Sequence, residues 1–315
     1  MITIYTFTTS LIEEIKFAGR YSTSGIYISA INSLLRFAGN KSLTFQDITP
    51  QLIKQYEEHL LLSGCRHNTL STYMRMLRSI FSQAVSRNIP FSYHTDELFR
   101  YVFTGYESTT KRAVSPTLIR RLSLLELSTY PNLQFSRDLF LLSFYLRGIP
   151  FVDLAHLRKT DVQHNTIYYY RHKTRQQLSV RIETCAAQIL NKYKTPTESQ
   201  SPYLLPILSQ AGEKGHIQYK SALRLYNQHL HKLSKMLKLP VHLTSYVARH
   251  SWATTAKDEG VAISVISEGL GHTSEKITHV YLASFDNNAM SKANRKVIAA
   301  IYPKKTSIRK DRTRL

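Results

Sequence analysis

Apolar residues recur at helical spacing along most of the first hundred positions of the chain. Residues 22–39 carry such a pattern and stop at Gly39, and residues 68–89 carry a longer stripe of the same period, so each segment is predicted to be an amphipathic helix. Between them, Thr49 and Pro50 form the pair expected at the N-cap and the first turn of a third helix. This part of the chain is therefore predicted to be helical.

The pattern changes after a turn-rich, basic stretch at residues 100–117, which we interpret as a domain boundary. Ser115 and Pro116 then begin a helix, and two β-rich runs within residues 166–182 flank a polar turn, as in a β-hairpin. The other helical patterns of this half cover residues 132–148, 151–162, 216–238, 244–259, 274–284 and 286–302.

These elements predict a mainly α (α+β) fold in two domains. The first, residues 1–105, is helical. The second, residues 106–302, is α-rich with a small antiparallel sheet. Residues 303–315 form a short basic tail.

The balance of charge is the strongest global feature of the sequence. Forty-two Lys and Arg residues oppose 21 Asp and Glu residues, which gives a net charge of +21 and a pI near 9.9. So basic a chain indicates a polyanionic partner, and nucleic acid fits better than a membrane surface because the sequence contains no amphipathic Lys/Trp anchor. No apolar run reaches the ~18 residues that a membrane helix needs, and the N-terminal residues lack the features of a signal peptide.

The cysteines add a prediction about the compartment. Cys65 and Cys185 lie far apart and neither belongs to a C-x-x-C pair, so we interpret them as ordinary thiols in a reducing cytoplasm. The sequence therefore predicts a cytoplasmic protein.

Candidate chemistry begins in the segment LTSYVARHSWAT, residues 243–254. It is predicted to be a helix capped by Thr244 or Ser245, with Tyr246 and Arg249 three residues apart on one face. The planar fork of an arginine on a packed helix is a good receptor for phosphate. Taken alone, however, Arg249 is better interpreted as an ordinary surface arginine.

Three other places in the chain change that interpretation. Arg147 ends an apolar helix in SFYLRGIPF, Lys173 lies at the predicted hairpin turn, and His272 precedes Tyr281 by nine residues in LGHTSEKITHVYL. Together with Arg249, these residues resemble the active-site set of the tyrosine recombinase (phage integrase) family. The resemblance covers residues 106–302, whereas the first hundred residues resemble the helical DNA core-binding domain of that family in outline.

The resemblance implies a role for each residue. Tyr281 attacks a DNA phosphodiester and forms a 3′-phosphotyrosyl link, while Arg147 and Arg249 hold the non-bridging oxygens. Lys173 protonates the leaving 5′-oxygen, and His272 holds the phosphate or assists proton transfer. A phenol of pKa ~10 is a poor nucleophile at neutral pH, so neighbouring cations that favour the phenolate are needed. This chemistry requires neither a metal nor another cofactor.

The sequence departs from the family pattern at two points. Tyr246 stands where the family usually has the histidine of His-x-x-Arg, and its hydroxyl can donate a hydrogen bond but carries no positive charge near pH 7. Arg147 also stands farther from VDLAHL than is common, with Gly-Ile-Pro extending the turn. Both features suit an integrase or DNA invertase branch of bacterial mobile elements, and they leave the role of Tyr246 open. The resemblance thus implies a bacterial protein that is associated with the nucleoid.

A metal site was weighed against this interpretation. Four histidines lie close together in the sequence: His242, His250, His272 and His279. No cysteine or carboxylate completes a zinc-binding set with them, so no metal site is predicted. His250 and His279 are interpreted as residues that support the site or the fold.

The resemblance also implies partners and leaves alternatives open. The partners are double-stranded DNA at specific recombination sites and further copies of the chain, assembled on DNA as a tetramer through the helix at residues 286–302. A type IB topoisomerase would use nearly the same residues. A non-catalytic DNA-binding regulator of the same fold is the other alternative, and it predicts the loss of at least one of the five principal groups, all of which are present.

Overall fold

The computed structural model describes residues 2–107, 112–196 and 199–282, apart from the side chains of Val280 and Tyr281. The chain forms two compact units. One contains the described residues of Met1–Thr110 and of Ser209–Lys220, and the other those of Lys111–Leu208 and of Ser221–Leu315. No sequence pattern predicts that Ser209–Lys220 joins the first unit, and the predicted domain limits stay a prediction.

The first unit is built from helices. They are α1 (Ile4–Phe17), α2 (Tyr21–Ala38), α3 (Pro50–Leu62), α4 (His67–Ser86) and α5 (Thr95–Leu98). Its core lies between α1, α2, α3 and α4, where Leu34 and Phe81 are fully buried and Phe45 meets Phe81 edge-on at 5.5 Å between ring centroids. The Thr49 hydroxyl accepts from the Leu52 amide at 3.1 Å with Pro50 at the first helical position, which confirms the predicted start of α3.

The described residues of the second unit form eight helices and one small sheet. Its helices are α6 (Pro116–Ser123), α7 (Pro131–Tyr145), α8 (Phe151–His156), α9 (Thr184–Tyr193), α10 (Gly212–Met236, of which residues 221–236 lie in this unit), α11 (Val247–Asp258), α12 (Ile263–Leu270) and α13 (Glu275–Tyr281). The strands β1 (Val162–Gln163), β2 (Thr166–Tyr170) and β3 (Gln177–Arg181) form an antiparallel sheet in sequence order. The predicted fold class and hairpin are both confirmed.

The packing of α7 explains where the functional residues converge. Phe140 and Leu142 on this helix are fully buried, and α7 packs against α6, α9 and α11. A helix that is apolar on several sides must be covered on several sides, and Leu146, directly after α7, is buried as well. The turn that follows α7 is thereby brought against α11.

Two predicted helices differ from the structure. The helix expected at residues 151–162 ends at His156, because the Arg158 amide donates to the Asp161 carboxylate at 2.8 Å and the Lys159 amide donates to the Pro202 carbonyl at 3.0 Å. These contacts with later residues hold the chain extended at Arg158 and start a short 3₁₀ turn at Lys159–Asp161.

Helix α11 also begins later than predicted. Its N-cap is Tyr246 rather than Thr244 or Ser245, because the Ser245 amide donates to the Asn227 side chain of α10 at 2.9 Å. Helices α9 and α12 were not predicted, and the helix predicted at residues 286–302 lies outside the described residues. Within the described ranges, no helix is long and apolar enough to cross a membrane.

Candidate active site

The turn after α7 presents Arg147 with an unusual backbone. Arg147 and Gly148 both have positive φ angles, 57° and 68°. The Gly148 amide donates back to the Ser143 carbonyl at 2.8 Å, and the Ser143 hydroxyl donates to the Ile149 carbonyl at 2.7 Å, which closes the turn. Arg147 is exposed, and its guanidinium donates to the Ser179 carbonyl of β3 at 3.4 Å. The turn therefore places the positively charged side chain of Arg147 beside strand β3 of the hairpin.

Arg249 on α11 lies against this turn and is only 2% exposed. Its guanidinium donates to the Gly148 carbonyl at 3.0 Å and to the Leu270 carbonyl, at the end of α12, at 2.5 Å. A Cβ added at Gly148 would lie 2.7 Å from the Arg249 Cα, so only glycine permits the close approach of the two backbones. The interpretation of Arg249 as a surface arginine is wrong, because this side chain is buried.

His272 links Arg249 to α13. Its Nε2 lies 3.0 Å from Arg249 Nη2, and its Nδ1 lies 2.8 Å from the Thr278 hydroxyl. Burial lowers the pKa of His272 to about 4, and the positive charges of Arg249, Arg171 and Lys173 add to this effect. The imidazole is therefore neutral at pH 7.

Lys173 lies in the turn between β2 and β3, where the sequence predicted it, and its side chain is exposed. Its charge acts on the pKa of His272, so the two side chains belong to one electrostatic environment. Arg147 reaches the same region, because a Cβ added at Gly269 on α12 would lie 3.8 Å from the Arg147 Cδ. Four of the predicted residues, Arg147, Lys173, Arg249 and His272, thus converge.

The other two predicted residues are placed less completely. Tyr246 is 41% exposed at the start of α11, with its ring centroid 5.8 Å from that of His250. Tyr281 is the last residue of α13, and its side chain lies outside the described part of the structure.

Sequence reasoning missed a buried ion pair beneath the site. Asp153 on α8 lies 3.3 Å from the Nε of Arg171, both side chains are buried, and Arg171 Nη1 donates to the Leu270 carbonyl at 2.5 Å. Burial raises the pKa of Asp153, while the His172 amide, which donates to it at 2.8 Å, and the Arg171 guanidinium act in the opposite direction. A lone carboxylate inside the apolar segment FVDLAHL was the available signal, because a buried carboxylate needs a cation.

Two family models match this chain. The model described as the phage integrase SAM-like domain matches residues 3–93, and the model described as the phage integrase family matches residues 122–288, more than half of the chain. The chain belongs to the phage integrase family. Its members are tyrosine recombinases, so the resemblance stated from Arg147, Lys173, Arg249, His272 and Tyr281 is confirmed at the level of the family.

Curated relatives and solved structures agree with this membership. Tyrosine recombinase XerA of Thermococcus kodakarensis is 25% identical over 240 residues, covering 75% of this chain and 77% of its own, and XerA of Pyrococcus horikoshii is 23% identical over 264 residues, covering 74% and 89%. The Tn1549 transposon integrase in complex with circular intermediate DNA has a TM-score of 0.64 at 15% identity, over 94% of this chain and all of the other. A lambda integrase dimer bound to a core site has a TM-score of 0.63 at 14% identity, over 91% and 99%. These two structures show a shared fold.

One further feature of this family member is a basic groove along α10. The groove is lined by Arg224, Asn227, Gln228, His231, Lys232 and Lys235. These residues recur at helical spacing and therefore share one side of the helix. The groove reaches the start of α11, because Asn227 also accepts from the Ser245 amide, next to Tyr246. Within the described residues, no cluster of histidine, cysteine and carboxylate side chains could hold a metal ion.

Proposed function

We propose that the protein is a site-specific recombinase that cuts and rejoins double-stranded DNA through a 3′-phosphotyrosyl intermediate. The observation that carries this proposal is the contact of Arg249 with His272, beside Arg147 and Lys173, in a chain of the phage integrase family. The arrangement gathers cationic donors near the end of α12. Such donors stabilise a phosphate whose charge grows in the transition state.

The roles follow from charge and protonation. Tyr281 supplies the nucleophilic oxygen, Arg147 and Arg249 hold the non-bridging oxygens, and the flexible ammonium of Lys173 protonates the leaving 5′-oxygen. His272, neutral at pH 7, adds no fixed positive charge and holds the Arg249 guanidinium through Nε2, while the proton of Tyr281 passes to solvent as its oxygen attacks. As the oxygen–phosphorus bond to Tyr281 forms, the bond to the 5′-oxygen breaks, so the phosphodiester energy is kept for rejoining.

Tyr246 is assigned to the same phosphate as a neutral donor. Its exposure at the start of α11, directly before the turn that carries Arg249, supports this role. We expect Tyr246→Phe to slow DNA cleavage about tenfold, since one hydrogen bond to a charged group is lost, and Tyr246→His to retain most of the activity. The measurement is the rate of covalent complex formation on nicked DNA.

The matched control for this prediction is Tyr130→Phe. Tyr130 is also an exposed N-cap tyrosine, at the start of α7, and its replacement should leave the rate unchanged. Equal rates for Tyr246→Phe and the parent protein would assign Tyr246 to packing.

The partners are DNA and further copies of the chain. The net charge of +21 favours binding to the phosphate backbone of DNA. The α10 basic groove supports the same partner, because its Lys and Arg side chains line a surface that a polyanion can approach. We further propose that the protein assembles as a tetramer on two paired sites, and that it belongs to a mobile-element integrase or invertase branch.

The function is tested with two DNA substrates. A nicked duplex carrying one recombination site should trap the protein covalently, and a pair of such sites should yield exchanged strands. A topoisomerase would relax supercoiled DNA without exchange between sites, and a non-catalytic regulator would bind without a covalent adduct. Relaxation without exchange, or binding without an adduct, contradicts the proposal.

A further inference from the structure

Thr278 on α13 is fully buried, and its hydroxyl meets His272 Nδ1 at 2.8 Å. We propose that Thr278 is a positioning residue: it accepts a hydrogen bond from His272 Nδ1, fixes the orientation of that ring, and so ties α13, the helix that ends at Tyr281, to Arg249. This inference deepens the proposed function and rests on it.

The tautomer follows from the partners of the two ring nitrogens. Arg249 Nη2 lies 3.0 Å from His272 Nε2, and a guanidinium can only donate, so Nε2 must accept with its lone pair. A neutral imidazole with an unprotonated Nε2 carries its proton on Nδ1. That N–H therefore donates to the Thr278 oxygen. The lone pair of Nε2 faces the guanidinium that we assign to the scissile phosphate.

The same contact connects α13 to the phosphate site. Leu282, directly after α13, is buried with Ala253, Ile266 and Leu270 in an apolar cluster of α11 and α12. That cluster holds the end of α13, but apolar packing is not directional and does not set the orientation of the His272 ring. The Thr278 hydroxyl is directional, so it couples the position of α13 to the orientation of His272 and thereby to Arg249.

The tautomer is measurable without DNA. In the full-length protein labelled with ¹⁵N at histidine, long-range proton–nitrogen correlation spectra distinguish a protonated Nδ1 from a protonated Nε2, and the His272 signals are identified by their absence from the His272→Gln variant. We expect Nδ1 to be protonated at pH 7. A parent spectrum with the proton on Nε2 overturns the proposal.

The kinetic test compares Thr278→Val, which keeps the branched shape and removes the hydroxyl, with Thr278→Ser, which keeps the hydroxyl. We expect the valine variant to form the covalent DNA complex about tenfold more slowly, with a shifted His272 Nδ1 signal because the hydrogen bond at that nitrogen is lost. The serine variant should stay within about threefold of the parent rate. DNA affinity should be unchanged in both, because residue 278 is buried.

The control variant is Thr8→Val, which removes the hydroxyl of another buried threonine, in α1, that has no hydrogen-bond partner within the described residues. Parent-like cleavage and an unaltered His272 Nδ1 signal in Thr278→Val overturn the proposal, and if that variant does not fold, the parent spectrum and the serine variant decide. The two hypotheses fail differently: a parent protein that never forms a covalent adduct contradicts the proposed function, whereas the His272 Nδ1 signal is measured without DNA and reports only on the contact with Thr278.

Discussion

Replacing Tyr281 with phenylalanine is expected to reduce covalent attachment to DNA by at least about a thousandfold while leaving DNA affinity within about twofold. The change removes one oxygen, and a phenyl ring cannot form a phosphodiester. Loss of a nucleophile affects the chemical step alone, so binding, which depends on Lys and Arg contacts with the backbone phosphates, should persist. The nine-residue spacing from His272 and the place of Tyr281 at the end of α13 are the reasons for proposing this tyrosine rather than another as the nucleophile.

The measurement uses a nicked duplex, on which the released strand diffuses away and the adduct accumulates. Adduct is quantified on a denaturing gel, and affinity is measured separately on an intact duplex. Tyr130→Phe, a change of the same size at an exposed tyrosine of the same unit, should form adduct at the parent rate. An adduct that still forms with Tyr281→Phe means that another tyrosine is the nucleophile.

The sequence predicted those features that depend on neighbouring residues. The β-hairpin and the position of Lys173 at its turn follow from two β-rich runs around polar residues, and the start of α3 follows from Thr49 and Pro50. Local patterns of this kind are visible in the chain because the interactions that produce them lie within a few residues.

Features that depend on distant residues were predicted less well. The burial of Arg249 follows from its contacts with Gly148, about a hundred residues earlier, and with Leu270. A contact of this kind leaves no periodic pattern in the sequence, so an arginine on a polar helix is expected to be exposed. The shortened α8 has the same cause, since the contact between Lys159 and Pro202 decides where the helix ends.

The Asp153–Arg171 ion pair could be predicted from the sequence only in part. The carboxylate stands out in an apolar segment, but Arg171 lies among exposed polar and aromatic residues at the end of β2, where nothing marks it as buried. A cation can be expected near such a carboxylate from charge alone, whereas its identity requires the register of the hairpin. Arg171 of this pair donates a hydrogen bond to the Leu270 carbonyl, which also accepts one from Arg249.

Replacing Gly148 with alanine is expected to destabilise the protein and to slow DNA cleavage by displacing Arg249. Gly148 has a φ of 68°, which costs an alanine about 1 kcal/mol, and the new Cβ would lie 2.7 Å from the Arg249 Cα. Because the obstacle is backbone on a packed helix, the α7 turn and α11 must separate. We expect the free energy of unfolding to fall by about 3 kcal/mol and cleavage to slow about a hundredfold, since Arg249 loses its fixed position relative to His272.

Gly260→Ala provides the matched control for this prediction. Gly260 follows α11 with a φ of 84°, and a Cβ there meets nothing within 4 Å, so its replacement carries the same backbone strain without the contact. It should lower the free energy of unfolding by about 1 kcal/mol and leave cleavage nearly unchanged. Denaturant unfolding and adduct formation, measured on both variants, isolate the effect of the close approach. If the two alanine variants lose equal stability and cleave alike, Arg249 does not owe its position to the glycine turn, and its hydrogen bonds to the Leu270 carbonyl and to His272 must suffice.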